Sequence, residues 1–569
     1  MLQPFKTKET MKKRNIYAVS SMLALAVMGG GMLSSCTGDF EDLNTNKTQV
    51  DPSSLPFAAQ CAEAMNYCYP PHQNMFQFWT NLTIDLYGGY FETPHGNFTN
   101  CDMGENRGHS GGMYENYYLH IFNNTRRNIA SLDAAQHAGL AGTMRIVQAV
   151  GTMQATDAYG PLAYSSIINA ESESTYRFDS QQQLYEQMLD DLDKAIAGLG
   201  AMNDEEKLSL ATYDTWCGGD PALWIQIANT MKLRIALRLS KRADEMKNDG
   251  YDLKAIAEAA ASNTLAVSGK DIVVRDQSNE LKRMFDWQDC GMNANLVTLM
   301  VGMNDPRLPL YMTKNAEEIT NEKGDVTPAG SVYCGVRFAS GMAQKGSEGS
   351  YGYKMSQWVG SYNTPLPIFK AAESYFLLAE AALRGWNVGG SAKSFYEAGI
   401  RLSIKNELAY KGSFAGVDNI SDADIEAYLN GTTGQADLVD PGNSQNNTPA
   451  VNTLGVKWDD AASNEDKLAR IQTQKYIALF PLSNEAWAEQ RRTGYPHFFV
   501  ALVNKSNGAV DTEEGVRRVI YSSNAYDTNA AGVAGGIEIL DKENTSKKGI
   551  SGDKGGTHVW WDNANKGNF

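Results

Sequence analysis

Apolar side chains recur at helical spacing along several long stretches of the chain. Over 221–242, Trp224, Ile227, Ala228, Met231, Ile235 and Leu239 share one face of a ~3.6-residue period, which predicts an amphipathic helix. Its ends are marked too. Asp220 suits the N-cap, Pro221 the first helical position, and Lys241 and Arg242 the last turn. The same period predicts helices over 55–86 (interrupted at Pro70-Pro71), 114–135, 140–159, 181–199, 371–383, 465–480 and 484–492, and another that Ser391 caps and that runs to Tyr410. Gly160-Pro161, Gly385, Gly494 and Pro496 supply the stops.

These helices fall into antiparallel pairs at about four places, and alanines such as Ala371, Ala372, Ala379 and Ala382 let paired helices approach closely. The pattern predicts an all-α fold, a scaffold of tetratricopeptide-like helical pairs. Spacing between the pairs is irregular, so the long insertions must build a second face, where function usually sits. From 87 to 112 the chain reads as a loop rich in Gly, Asn and aromatics. From 265 to 367 the periodicity fades, with strand-like scraps such as 271–275. Residues 411–458 read as a polar insertion, and the tail after Asn504 as irregular.

The N-terminus follows another pattern. Lys12-Lys13-Arg14 precede an apolar run from 16 to 27, then Gly29-Gly30-Gly31 and Leu33-Ser34-Ser35-Cys36. A basic patch, an apolar segment and small residues before a cleavage point are the parts of a secretory signal. A cysteine directly after them makes a lipobox, with Cys36 as the lipidated residue. The apolar run is too short and glycine-rich for a span of ~20 residues. Residues 1–35 are therefore expected to be a lipoprotein signal peptide and 36–569 a single ligand-binding domain.

Composition narrows the partners. A formal net charge of −16 gives no electrostatic grip on nucleic acid or an anionic lipid surface. Beyond Cys36 the cysteines Cys61, Cys68, Cys101, Cys217, Cys290 and Cys334 are scattered, with no CxxC. Most read as buried free thiols, although an exported chain permits a disulfide.

Several stretches together resemble one family. They are 157–165 (Asp157-Ala158-Tyr159-Gly160-Pro161 and the four residues after), 224–240 with Ala228-Asn229-Thr230-Met231-Lys232-Leu233-Arg234, and 373–381. The strongest is 471–478, followed by Glu485-Ala486-Trp487 and Arg491-Arg492-Thr493-Gly494-Tyr495-Pro496. In that order, behind a lipobox, they resemble the SusD/RagB-like outer-membrane lipoproteins. One departure is Ser522, where the family pattern leads us to expect proline. The resemblance implies a non-catalytic, surface-exposed lipoprotein, anchored in the outer membrane. It implies a lid on a SusC-like TonB-dependent β-barrel transporter that takes up oligosaccharide, or in some related systems peptide. Arg491, Lys475 and Glu485 then belong to polar networks of the scaffold or partner face rather than to a site.

Candidate chemistry is sparse. Gly108-His109-Ser110-Gly111-Gly112 matches G-x-S-x-G, but no apolar strand precedes it, so we expect a flexible loop ending near Met113 rather than a hydrolase elbow. There is no HExxH, Walker-A loop or GxGxxG opening a helix, and the histidine spacings match no recurring zinc site. No metal or cofactor is expected. A structural calcium ion in the Asp- and Asn-rich 437–447 stays open, although EF-hand spacing is absent.

A sugar site needs flat rings and planar hydrogen-bonding groups. One loop stretch offers Tyr87, Tyr90, Phe91, Asn97, Asp102 and Arg107. The other offers Asp286, Trp287, Gln288, Asp289, Arg337, Tyr351, Tyr353 and Trp358. The ligand-binding expectation centres on Trp287, Trp358, Tyr90, Phe91, Asp289, Arg337, Tyr351 and Tyr353. Nothing in these residues separates sugar from peptide.

Overall fold

In the computed structural model, which describes residues 57–169 and 175–569 (the side chains of 411–414 apart), the helical pairs are set by close contact between small residues. The Ala138–Tyr159 and Gln181–Gly200 helices pack along their length. A Cβ on Gly198 would stand 2.3 Å from the Ala138 carbonyl oxygen, and one on Gly142 3.0 Å from that of Ala195. The Ala371–Leu383 helix packs likewise against Ala392–Ala415, where a Cβ on Gly399 would meet the Phe376 ring at 2.9 Å. Pro221–Arg238 lies between these pairs and is N-capped by Asp220, which accepts from Ala222 N. Residues Pro56–Phe569 gather around one main hydrophobic core. Within it Trp224 is fully buried, its ring 5.3 Å from Trp216 and its Nε1 donating to Asp214 at 2.8 Å. A buried indole of this kind contributes on the order of 5 kcal/mol of apolar burial.

A second, ionic core joins the same helices. Arg238 donates to Asp157, to Glu485 (2.6 Å) and to Glu489 (3.0 Å), with its own side chain fully buried. Arg234 bonds Glu373, Arg492 forks onto Glu380 and also onto Glu489, and Lys475 lies 3.2 Å from Glu489. Arg491 donates to backbone carbonyls of Asp157 (2.8 Å) and Arg517 (2.6 Å), with its guanidinium 3.6 Å from the Trp487 ring centroid. The motif residues Arg491, Lys475 and Glu485 thus sit inside the scaffold.

Three expectations need correction. The 107–112 stretch is no loop: it belongs to the Arg107–Asn116 helix, capped by Asn106. Its glycines serve a helix crossing, since a Cβ on Gly112 would lie 2.6 Å from the Phe78 Cβ. The tail after Asn504 contains the Ser523–Glu543 helix, masked in sequence by small residues and a kink at Asn529. Ser522, where proline was expected, is its N-cap and accepts from Ala525 N. The 411–458 insertion holds a short helix, Asp422–Leu429, opened by a Ser421–Asp424 capping box. Among the described residues, strands form five two-stranded antiparallel sheets, and the six cysteines are free. The stretch expected to be a signal peptide, residues 1–35, and Cys36 lie outside the described residues.

Candidate functional site

Strand Phe91–Glu92 pairs with Gly291–Met292, Phe91 opposite Met292. This ladder brings the loop after 92 beside the end of the Glu280–Asp286 helix. A third segment closes on both. Gly96 N donates to Ala343 O (3.0 Å), Lys345 N to Asn97 Oδ1 (2.9 Å) and Gln344 Nε2 to Gly96 O (2.8 Å). A Cβ on Gly96 would lie 2.4 Å from the Met342 carbonyl oxygen, so this approach requires glycine.

Asp289 ties the face together. Its carboxylate accepts from His95 Nε2, Gln77 Nε2 and Lys345 Nζ, each at 3.0 Å. Burial raises its pKa, but the bonds from His95 and Lys345 outweigh that and hold it below the usual carboxylate value. Asn97 N donates to His95 Nδ1 (3.3 Å), which fixes the ring with its proton on Nε2. Lys345 Nζ also donates to the Trp287 carbonyl, fixing the backbone beside that half-buried indole.

A ribbon of rings adjoins this polar cluster. The His95 and Phe98 centroids are 5.5 Å apart, Phe98 and His109 5.8 Å, and His109 stacks on Phe78 at 5.4 Å and 15°. Phe78 is 36 % exposed and Phe98 half-buried. His109 is bonded to Asn100 Oδ1 (2.8 Å), and burial lowers its pKa. Phe78 and Gln77 share the π-helix Gln77–Ile84, whose Thr80 hydroxyl caps the Phe76 carbonyl (2.6 Å). The wider turn leaves Phe78 outward while Phe76 and Trp79 face the core.

The structure therefore joins the two loop stretches singled out in sequence, but not every named side chain reaches the surface. Asp289 lies in the polar cluster, and Trp287, half-buried against the main core, borders it through its carbonyl. Tyr90 is 0 % exposed: its hydroxyl donates to the Tyr476 carbonyl and its ring lies 4.6 Å from that of Tyr476. Phe91 is buried between Phe480 and Phe285. Trp358 is 5 % exposed and pairs opposite Met312 in the strand Ser356–Trp358. Its setting reads as aperiodic because strands of two to four residues are too short to show alternation. Arg337, buried, donates to Asn446 O (3.2 Å) and Val500 O (2.7 Å) and so pins two loops. These four side chains are buried and are not part of the exposed face.

Tyr351 and Tyr353 are half-buried. Tyr351 donates to Asp440 (2.8 Å), whose carboxylate also accepts from Asn446 Nδ2 (2.7 Å) and Gly442 N (2.8 Å) within the stretch considered for calcium. Ser110 Oγ donates to Arg107 O (2.9 Å) inside its helix. Among the described residues, no three His, Cys, Asp or Glu side chains gather as metal ligands.

Sequence reading missed Phe78, Phe98, Gln77 and Lys345 as site residues. The signal for Phe78 was present: an aromatic off the apolar stripe that Phe76 and Trp79 define.

Comparison with known proteins adds the following. The family model described as SusD-like, Susd and RagB outer membrane lipoprotein, matches residues 41–562. A chitin-binding SusD homologue from Flavobacterium johnsoniae is similar at a TM-score of 0.76 and 30 % identity, over 90 % of this chain and 100 % of that one. A SusD homologue from Bacteroides vulgatus matches at 0.76 and 27 %, over 90 % and 98 %. One from Bacteroides thetaiotaomicron matches at 0.74 and 26 %, over 89 % and 99 %. No curated protein matches the chain. Among the described residues no helix is long and apolar enough to cross a membrane.

Proposed function

Since the chain belongs to the SusD-like family of SusD and RagB outer-membrane lipoproteins, we propose that it binds oligosaccharide without cleaving it and delivers it to a SusC-like TonB-dependent transporter. Cys36 carries the lipid that holds the protein on the outer membrane, with the face around Phe78, Phe98 and Trp287 exposed to the medium.

One observation carries the glycan reading: exposed and half-exposed rings stand beside Asp289, Gln77, Asn97 and Lys345 on a face stitched from three segments. Rings take the apolar faces of sugars, and the amides and charged groups take hydroxyls. The chitin-binding relative at 30 % identity favours a carbohydrate over a peptide. Non-catalytic binding fits the chemistry, because Asp289 is ion-paired and Ser110 is engaged inside a helix.

The test is a binding panel with the detergent-solubilised lipoprotein. It contains the hexamers of β-1,4-N-acetylglucosamine, cellulose, xylan, mannan and amylose, plus mixed oligopeptides. Binding of at least one hexamer, weakened up to about tenfold in Phe78→Ala, is the expected result. Binding of peptides alone would replace the glycan reading by the peptide one, and product release from any bound hexamer would make the protein an enzyme.

A further inference from the structure

Gln288 follows the Glu280–Asp286 helix and holds φ at +58°. Gln288 N donates to Phe285 O and Asp289 N to Met284 O, both at 2.9 Å. This is the paired helix stop whose left-handed position glycine fills most cheaply. Elsewhere in the chain glycine does fill it: Gly250 and Gly385 close their helices with the same two bonds, at φ +99° and +78°. Strain alone does not single out Gln288, because Gln136 closes another helix in the same way at φ +62°. Its setting does.

Both neighbours of Gln288 are anchored in the polar cluster. The Trp287 carbonyl accepts from Lys345 Nζ, and the Asp289 carboxylate takes its three donors. The backbone that carries Gln288 is therefore fixed on both sides. Its side chain is exposed and makes no hydrogen bond among the described residues. The other amides of the cluster each commit one end to the protein, Gln77 Nε2 to Asp289, Asn97 Oδ1 to Lys345 N and Gln344 Nε2 to Gly96 O, whereas Gln288 commits neither. Gln288 thus presents a donor and an acceptor side by side, with no protein partner among the described residues, between half-buried Trp287 and Asp289 on a backbone held by hydrogen bonds on both sides.

We propose that Gln288 is a specificity-determining residue of this face, its amide pairing with two adjacent hydroxyls of a sugar ring bound against the aromatic side chains. The amide oxygen accepts from one hydroxyl and the amide nitrogen donates to the next, a match for a ring that keeps a free vicinal diol. The inference rests on the glycan reading of the face.

The experiment compares wild type, Gln288→Gly, Gln288→Asn and Phe78→Ala as full-length lipoprotein in detergent. Each is titrated with the five hexasaccharides named above and melted thermally. Gln288→Gly should melt at or above the wild-type temperature, since glycine relieves the left-handed backbone. It should bind the preferred hexamer about three- to tenfold more weakly and narrow its lead over the others, as expected for one lost net hydrogen-bonding group. Gln288→Asn, which tolerates this backbone but lacks reach, should behave likewise.

If Phe78→Ala weakens binding while both Gln288 variants keep wild-type affinity and selectivity, the role of Gln288 is overturned and the face stands. If all three variants bind as wild type, the face itself is misplaced and the inference falls with it. A Gln288→Gly protein that melts early and loses all hexamers equally would make Gln288 structural support. A wild type that binds none of the five would overturn the glycan reading and the inference together.

Discussion

Arg492 and Glu380 meet as a fork on a fork: Nη1 lies 2.8 Å from one carboxylate oxygen and Nη2 2.7 Å from the other, both side chains buried. Burial of two charges is repaid only by such geometry, so removing one partner strands the other. Arg492→Ala should cost ~3–5 kcal/mol. Arg492→Lys should recover only part of that, because an ammonium cannot fork onto a carboxylate. Urea melts of both variants measure the difference, and equal stability of Arg492→Ala and wild type would remove the pair from the account of the fold.

The same network sets the acid limit of stability. Burial raises Glu489, but Arg492, Lys475 and Arg238 outweigh it and hold the carboxyl well below the usual value; Glu380 and Glu485 are lowered in the same way. A carboxyl depressed on folding contributes stability above its unfolded pKa of ~4.3 and loses it as pH falls through the folded value. The melting temperature should therefore fall steeply below about pH 5, with a shallower slope in Glu489→Gln from an already lower plateau. A melting temperature that stays flat from pH 7 down to pH 3 would contradict this.

Asp85 has the opposite sign. Burial raises its pKa to about 7, with only the Ser483 hydroxyl opposing. The unfolded carboxyl ionises near ~3.9, so a penalty on the folded state builds between there and about pH 7 and is complete above it. Asp85→Asn keeps an acceptor for Ser483 and should stabilise the protein by roughly 1–4 kcal/mol at pH 8, and by little at pH 4. Thermal melts at both values decide; a gain of equal size at the two would show that ionisation is not its source.

Ring truncations should separate face from core. Phe78→Ala and Trp287→Ala remove surface rings and should weaken glycan binding up to about tenfold with little change in melting temperature. Trp224→Ala opens a cavity and leaves Asp214 short of a donor, and should cost ~3–5 kcal/mol. Calorimetric titration beside thermal melts would expose a wrong assignment as an early melt with normal binding for Trp287→Ala.

Cys36→Ala should release the protein from the membrane fraction into the soluble one. Detergent phase partitioning reads this directly, and an alanine variant that still partitions with detergent would place the anchor elsewhere.

The helical scaffold was legible because its helices carry whole turns of apolar stripe and explicit caps, as at Asp220 and Pro221. The Ser523–Glu543 helix was not, since glycines and alanines replace the stripe there. At the face, Trp287 and Asp289 were legible as an aromatic and an acid in a polar loop. Phe78 was overlooked because it was read with the helix that carries it, although it falls off the stripe that Phe76 and Trp79 define. Tyr90, Phe91 and Trp358 misled for the converse reason. Phe91 and Trp358 sit in strands of two and three residues and Tyr90 in the bend before Phe91, and burial there comes from distant partners such as Tyr476, Phe480 and Met312.

The reach of the buried ion pairs along the chain bears on how an exported protein is made. Arg491 grips the Asp157 carbonyl from 334 residues downstream, and Arg238 awaits Glu485 across 247. A polypeptide threaded through a translocation pore with its N-terminus first would present Arg234 before Glu373, and Arg238 with only Asp157 of its three carboxylates, long before Glu485 and Glu489 emerge. Closing that core early would enclose unpaired charge, so it should stay open and hydrated until residues 464–493 arrive. Folding should then end in one late, cooperative closure, and a chain stalled before that point should be left open to proteases.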